Sequence, residues 1–218
     1  MTVKKYLNCP DLRGTFVVVE VGDDGRPFVR LDETLFHPQG GGQKADRGKI
    51  AGRVVVHVTK DGDEVNHYLE STTGLAVGVA VAVEVDAAWR ATGSAWHTAG
   101  HLIAALVERR WPELRAASGH HWEGEARVDF SPGDARLADA VAKELPGLLT
   151  EAIEAQLPVK VVGDPFISRA VVIGNFSPLP CGGTHIEHTG RLPRVDIARV
   201  RVKDGKLRVS YALRSQGG

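Results

Sequence analysis

Residues 86–111, DAAWRATGSAWHTAGHLIAALVERRW, are where the character of this chain changes. Upstream of Asp86, valine dominates short runs. From Asp86 onward, alanine and larger apolar residues recur at helical spacing. Leu102, Ile103, Leu106 and Val107 fall on one face of a helix expected over 94–110. Asp86 and Ser94 both suit an N-cap, and Pro112 ends the helix. Within it, His97 and His101 stand four apart, about one turn, so both imidazoles leave the same face.

On the N-terminal side, TFVVVEVG, PFVRLDE, GKIAGRVVVHVTK and LAVGVAVAVEV read as strands, with DDGRP and KDGDE as turns. Several short strands at this spacing predict a small antiparallel barrel or a sandwich. On the C-terminal side, EARVDFS reads as a short strand. Residues 134–156 read as a second helix with a break at Pro146-Gly147. PVKVVGD, RAVVIG, VDIARVRVKDG and KLRVSYAL read as strands, the last two joined by a hairpin turn at 203–206. Strands and helices segregate along the chain, which favours an α+β fold over a doubly wound sheet.

The chain has 218 residues, 43% hydrophobic and 25% charged, so a packed core needs no metal or disulfide to rescue it. A metal site in such a chain is therefore functional before it is a staple. The longest apolar runs are too short to span a bilayer, and the N-terminus is polar and broken by Pro10. The expectation is a cytoplasmic protein with no membrane partner and with Cys9 and Cys181 as free thiols. A net charge of zero hides an asymmetry. From residue 191 onward there are eight basic residues (Arg191, Arg194, Arg199, Arg201, Lys203, Lys206, Arg208 and Arg214) against only Asp196 and Asp204. That stretch is either a phosphate-contacting surface or a solvated strand face with alternating arginine.

Cys181 and His185 also stand four apart, in CGGTH. Pro180 and the two glycines make this segment a turn that can wrap an ion from the side opposite the helix. Three imidazoles and one thiolate suit zinc, whereas magnesium and calcium want oxygen ligands. Either pair alone is a weak signal; the two together predict one Zn²⁺ per chain on His97, His101, Cys181 and His185. Four protein ligands are also the mark of a closed structural site. A hydrolytic role needs the coordination to expand or one ligand to yield to water, whose pKa on zinc falls to about 7. A third loop, TLFHPQGGGQKADRG, carries Gly40, Gly41 and Gly42, which permit close approach to a ligand or simply a long turn. It lacks the GxxxxGK[ST] phosphate-binding pattern. Gln43 is its polar group best placed to probe a small substrate.

The set GGGQ at 40–43, HTAGH at 97–101 and CGGTH at 181–185 resembles the editing domain of alanyl-tRNA synthetase. It resembles still more the free-standing AlaX family of alanyl-tRNA editing proteins. The likeness covers nearly the whole chain and extends to Asp32-Glu33-Thr34, Asp46-Arg47-Gly48, Asp86 with Arg90, and Thr189-Gly190. The resemblance implies a small N-terminal antiparallel β-barrel over 1–88 carrying the glycine-rich loop. A two-layer α/β domain over 89–218 would hold the zinc. It implies an editor acting in trans on mischarged tRNA for alanine, hydrolysing the ester to serine first and glycine second; sequence leaves the oligomeric state open, with a monomer favoured. In that reading the four zinc ligands are also the catalytic centre. Gln43 and Thr34 become candidates for the serine hydroxyl, because a site built to bond a hydroxyl rejects a substrate lacking it. Arg191, Arg194, Arg199, Arg201 and Lys203 become candidates for acceptor-stem phosphates.

The chain also departs from the family. His37 stands where the family often has tyrosine, and Arg191 and Pro193 follow Thr189-Gly190. His120 and His121 add two imidazoles, read either as substrate contacts or as an exposed loop. Three other readings compete: an editor of another mischarged tRNA, such as seryl-tRNA for threonine; a tRNA-binding module with a structural zinc; and a thiol hydrolase with Cys181 as nucleophile.

Overall fold

The computed structural model describes residues 1–214. The end of the expected second domain, 215–218, lies outside the described residues. The chain divides into two compact units: residues 1–40 with 44–92, and residues 41–43 with 93 onward. The glycine-rich loop, given by sequence to the N-terminal domain, thus contributes Gly41, Gly42 and Gln43 to the second unit.

The first unit contains β1 (Val3–Lys4), β2 (Arg13–Asp23), β3 (Pro27–Leu31), β4 (Glu33–Thr34), β5 (Gly48–Ile50), β6 (Arg53–Asp61), β7 (Glu64–Leu69) and β8 (Ala80–Val85). Six of these pair in the order β2-β3-β7-β6-β5-β8, and β8 pairs back onto β2, closing the barrel. Strand β8 shows why: Val81, Val83 and Val85 point inward while Ala80, Ala82 and Glu84 face out. Phe16, Val18, Leu31, Phe36 and Ile50 join them in one core. Each such apolar side chain removed from water contributes about 1.5–3 kcal/mol.

Two polar features are buried in this unit. Arg90 Nε donates to both Asp46 oxygens at 3.0 Å, and its Nη2 donates to the Leu35 carbonyl at 2.6 Å. Asp46 also accepts from the His37 backbone N–H, and the His37 ring lies edge-on to Tyr6. The second feature is His67, which is fully buried. Its Nδ1 meets the Val29 carbonyl at 3.1 Å and its Nε2 the Thr34 hydroxyl at 2.7 Å. A carbonyl only accepts, so Nδ1 carries the proton and Thr34 donates to Nε2.

Burial lowers the His67 pKa from 6.5 to about 4. Between those values the unfolded chain binds a proton that the fold refuses. Stability is therefore complete above pH 6.5 and falls as pH drops toward 4. Denaturant titrations are expected to show a loss of roughly 2–3 kcal/mol between pH 7 and pH 4.5. A His67→Asn variant should be less stable at pH 7 but lack that slope; an unchanged slope would assign it to other groups.

The second unit is built on α1 (Ala87–Arg110) from Gly93 onward, β9 (Arg115–His120), β10 (Arg127–Ser131), α2 (Ala135–Glu154), β11 (Val159–Val162), β12 (Ala170–Ile173), β13 (Leu179–Pro180), β14 (Arg194–Lys203) and β15 (Lys206–Arg214). An antiparallel sheet runs β14-β15-β10-β9, and β11, β12 and β13 form a second, smaller one. The β14–β15 turn puts Asp204 at φ 51° and Gly205 at φ 71°, the conformation a tight two-residue hairpin needs. Both helices and the larger sheet share one core, including Leu102, Val107, Phe130, Leu145, Leu149 and Leu207. The chain is thus α+β.

Two local expectations are corrected, and strands β7 and β9 were not read from the sequence. Helix α1 is capped by Asp86, whose Oδ1 accepts from the Trp89 N–H at 2.9 Å; Ser94 lies inside the helix. Helix α2 runs unbroken through Pro146. Val141, Leu145, Leu149 and Ala152 form one buried stripe across the proline, and that burial outweighs the lost hydrogen bond. Strand β9, RAASGH, has no sequence signature because alanine, serine and glycine are weak strand formers. It is held instead by pairing with β10.

Candidate metal centre

Helix α1 presents His97 and His101 from one face, and the CGGTH turn follows directly on β13. Donor atoms of His97, His101, Cys181 and His185 all lie within 4.8 Å of one another. The Nε2 atoms of His97 and His101 are 3.2 Å apart, Cys181 Sγ is 3.6 Å from His97 Nε2, and Cys181 Sγ is 3.2 Å from His185 Nε2. A tetrahedral zinc with ordinary bond lengths would space nitrogen pairs by about 3.3 Å and sulfur–nitrogen pairs by about 3.5 Å. The donor set fits zinc in chemistry and in spacing.

The surrounding hydrogen bonds fix which nitrogen His97 and His185 offer. Gln43 Oε1 accepts from His97 Nδ1 at 2.8 Å and from the Thr184 N–H at 2.9 Å, while its Nε2 donates to the Thr184 hydroxyl at 2.8 Å. The His97 proton therefore sits on Nδ1, and the Nε2 lone pair faces the cluster. Thr98 donates its hydroxyl proton to the Ser94 carbonyl at 2.8 Å and so accepts from His185 Nδ1 at 3.3 Å. His185 likewise presents Nε2. Such outer partners set ring orientation and ligand basicity. Ser94 and Thr184 hydroxyls close the network at 2.7 Å.

Charge favours ligation as well. Burial lowers the His101 pKa to about 4, with the Arg169 cation adding to the effect, so this imidazole is neutral. Burial pushes the Cys181 thiol up, while the Gly183 N–H and Arg169 oppose it. A raised thiol is a poor nucleophile. This counts against the thiol-hydrolase reading, whereas a coordinating thiol is deprotonated outright. Both cysteines are free, as expected of the sequence.

The structure distributes the remaining candidates unevenly. Gln43 is 2% exposed and bonds His97 and Thr184, so it orients the His97 ring. Thr34 lies in the other unit with its hydroxyl spent on His67. Gly40 and Gly41 have open space where a Cβ would stand. At Gly42, with φ 78°, a Cβ would come within 2.6 Å of the Gly119 carbonyl and 2.9 Å of the His121 ring. His120, the last residue of β9, and His121, just past it, have different surroundings. The His120 ring packs on Trp122 with its Nε2 3.4 Å from Glu125, away from the cluster. The buried His121 ring lies 5.0 Å from that of His97. His121 and His101 line a cleft of about 250 Å³ with Gly100, Gly119 and Pro180.

Much of the basic stretch is internally neutralised: Arg191 pairs with Glu187, Arg194 and Arg214 with Asp196, and Arg208 with Asp129. Arg199 and Lys203 remain exposed on β14, and Arg201 is half-buried. Among the described residues no helix is long and apolar enough to cross a membrane. Sequence reading missed Ser94, Thr98, Thr184 and Tyr211. Thr98 inside HTAGH and Thr184 inside CGGTH were the available signals, each a hydroxyl next to a ligand.

No family model matches the chain. It is homologous to part of alanine–tRNA ligases. The relative from Corynebacterium jeikeium is 30% identical over 207 residues, 83% of this chain. That from Methanopyrus kandleri is 30% identical over 216 residues, 87% of this chain. That from Nitrosopumilus maritimus is 28% identical over 218 residues, 89% of this chain. The match spans only 23%, 23% and 24% of these relatives, about a quarter of their length.

Proposed function

We propose that this chain is a zinc-dependent hydrolase of the ester joining an amino acid to tRNA, with mischarged seryl-tRNA for alanine as its first substrate and glycyl-tRNA as its second. The observation that carries the reading is the convergence of three imidazoles and one cysteine sulfur, with the His97 and His185 tautomers fixed from behind. The likeness to alanine–tRNA ligases supports tRNA as the partner. A zinc bound here supplies Lewis acidity toward an ester carbonyl and lowers the pKa of water toward about 7. The chain's own residues hold and orient the reacting groups. Gln43 and Thr98 lock His97 and His185, so the donor set does not reorganise as charge develops. The cleft beside His101 receives the aminoacyl group. Water adds to the carbonyl carbon, the bond to the ribose oxygen breaks, and that oxygen takes up a proton. The products are free amino acid and uncharged tRNA. Arg199, Arg201 and Lys203 are the proposed phosphate contacts, a role that Arg191 and Arg194 fill less well because they are paired.

A second reading draws on one specific feature: four protein donors are the usual mark of a closed structural site. The chain would then bind tRNA without turnover. A deacylation panel decides between them. Seryl- and glycyl-tRNA for alanine are expected to be hydrolysed, while alanyl-tRNA for alanine and seryl-tRNA for threonine are spared. Binding without hydrolysis of any of the four would support the structural role. Preferred hydrolysis of seryl-tRNA for threonine would reassign the tRNA.

A further inference from the structure

A cleft that selects serine by its hydroxyl needs a polar group with an unspent hydrogen-bonding valence. Neither side chain favoured by sequence lines the cleft beside His101: Gln43 holds His97 and Thr184, and the Thr34 hydroxyl holds His67. His121 differs. The Tyr211 hydroxyl donates its one proton to the Trp96 carbonyl at 2.8 Å, so it accepts from His121 Nδ1, also at 2.8 Å. The His121 proton is thereby pinned to Nδ1, and the Nε2 lone pair is left over. His121 lines the cleft that His101 also lines, and its ring lies 5.0 Å from that of His97 and 6.3 Å from that of His101. The ring is also boxed in. A Cβ at Gly100 would come within 2.2 Å of it, and one at Gly119 within 2.5 Å. The remaining polar side chain of the cleft, Ser118, is exposed and donates to Asp129 at 3.3 Å.

Resting on the function proposed above, we infer that His121 is the specificity-determining residue of the cleft, its Nε2 accepting a hydrogen bond from the hydroxyl of the seryl group. Tyr211 acts as a positioning residue. By accepting from Nδ1 it keeps the imidazole in the tautomer that accepts on the cleft side. The other donor on an aminoacyl ester is the α-ammonium, which seryl and glycyl esters share. Comparing the two esters therefore separates the two contacts.

The test measures kcat/KM for seryl- and glycyl-tRNA for alanine, with bound zinc quantified in parallel. His121→Phe is expected to lose about tenfold to a hundredfold on the seryl ester. The glycyl ester should stay within about twofold, and zinc content should not change. Tyr211→Phe, which frees the tautomer, should shift the ratio the same way by a smaller factor. His121→Gln, which can return an acceptor near the Nε2 position, should restore part of the seryl preference. Equal losses on both esters would assign His121 to the ammonium and overturn the inference. Loss of zinc in all three variants would make the ring a structural support and overturn it too. Failure of the reading beneath is recognised separately: the unmodified protein would then hydrolyse neither ester.

Discussion

A Gly183→Ala variant is expected to deacylate seryl-tRNA about a hundredfold more slowly, whereas Gly182→Ala, one residue away, keeps the unmodified rate. The two glycines share the CGGTH turn, but their surroundings differ. A Cβ on Gly182 meets nothing within 4 Å. A Cβ on Gly183 would stand 2.0 and 2.2 Å from His97 ring atoms and 2.7 Å from Gln43 Oε1. His97 cannot retreat, because its Nδ1 is bonded to Gln43 and its Nε2 is packed against the other donors. The methyl group therefore displaces either the ligand or the turn that carries Cys181. A misplacement of about 1 Å at a reacting centre costs about a hundredfold in rate. A disturbed outer partner costs about 10–100-fold in metal affinity. Zinc binding by both variants, measured by competition with a chromogenic chelator, checks the cause. Equal affinity and equal rate in the two would remove the close approach from the account.

The second large effect is expected at Cys181. Four ligands to a structural zinc together contribute about 10–16 kcal/mol, so removing one costs roughly 3 kcal/mol, on the order of a hundredfold in affinity. Cys181→Ala should therefore bind zinc weakly and lose deacylation. Cys181→His returns a nitrogen donor and should recover part of the zinc binding. The fold should survive in both, since the unit has its own apolar core of residues such as Leu102, Phe130 and Leu207. Retained hydrolysis in a Cys181→Ala protein with no bound metal would contradict the ligand role. Trapping of a covalent acyl intermediate on Cys181 would restore the nucleophile reading against which the raised thiol argues.

The cluster of candidate donors was legible because each pair is local: four residues on a helix, and four in a glycine turn. What supports the donors was not. Gln43 meets His97 across 54 positions and Thr184 across 141, and no spacing rule reaches that far. A polar residue after three glycines gives no sign of such partners. The same holds for the histidine pair at 120 and 121, equal on paper but set in different surroundings. Valine alternation marked β2, β6 and β8 of the first unit, since one buried face imposes period two, but β7, buried at nearly every position and without that alternation, was not read. Strand β9 escaped because its pairing, not its composition, makes it a strand. Pro146 misled because a local rule about helix breaking was overridden by a continuous buried stripe. The basic stretch read as one charged surface until its acidic partners appeared, two of them, Asp129 and Glu187, from outside the stretch.

On the proposed function, His97, His101, Cys181 and His185 hold one zinc on which ester hydrolysis depends. The most direct measurement is the rate of seryl-tRNA deacylation as a function of zinc bound per chain, from the stripped protein to one equivalent. The rate is expected to rise in proportion to occupancy, reach its plateau at one zinc, and start from zero in a protein that remains folded. An undiminished rate in the folded, metal-free protein would contradict that dependence.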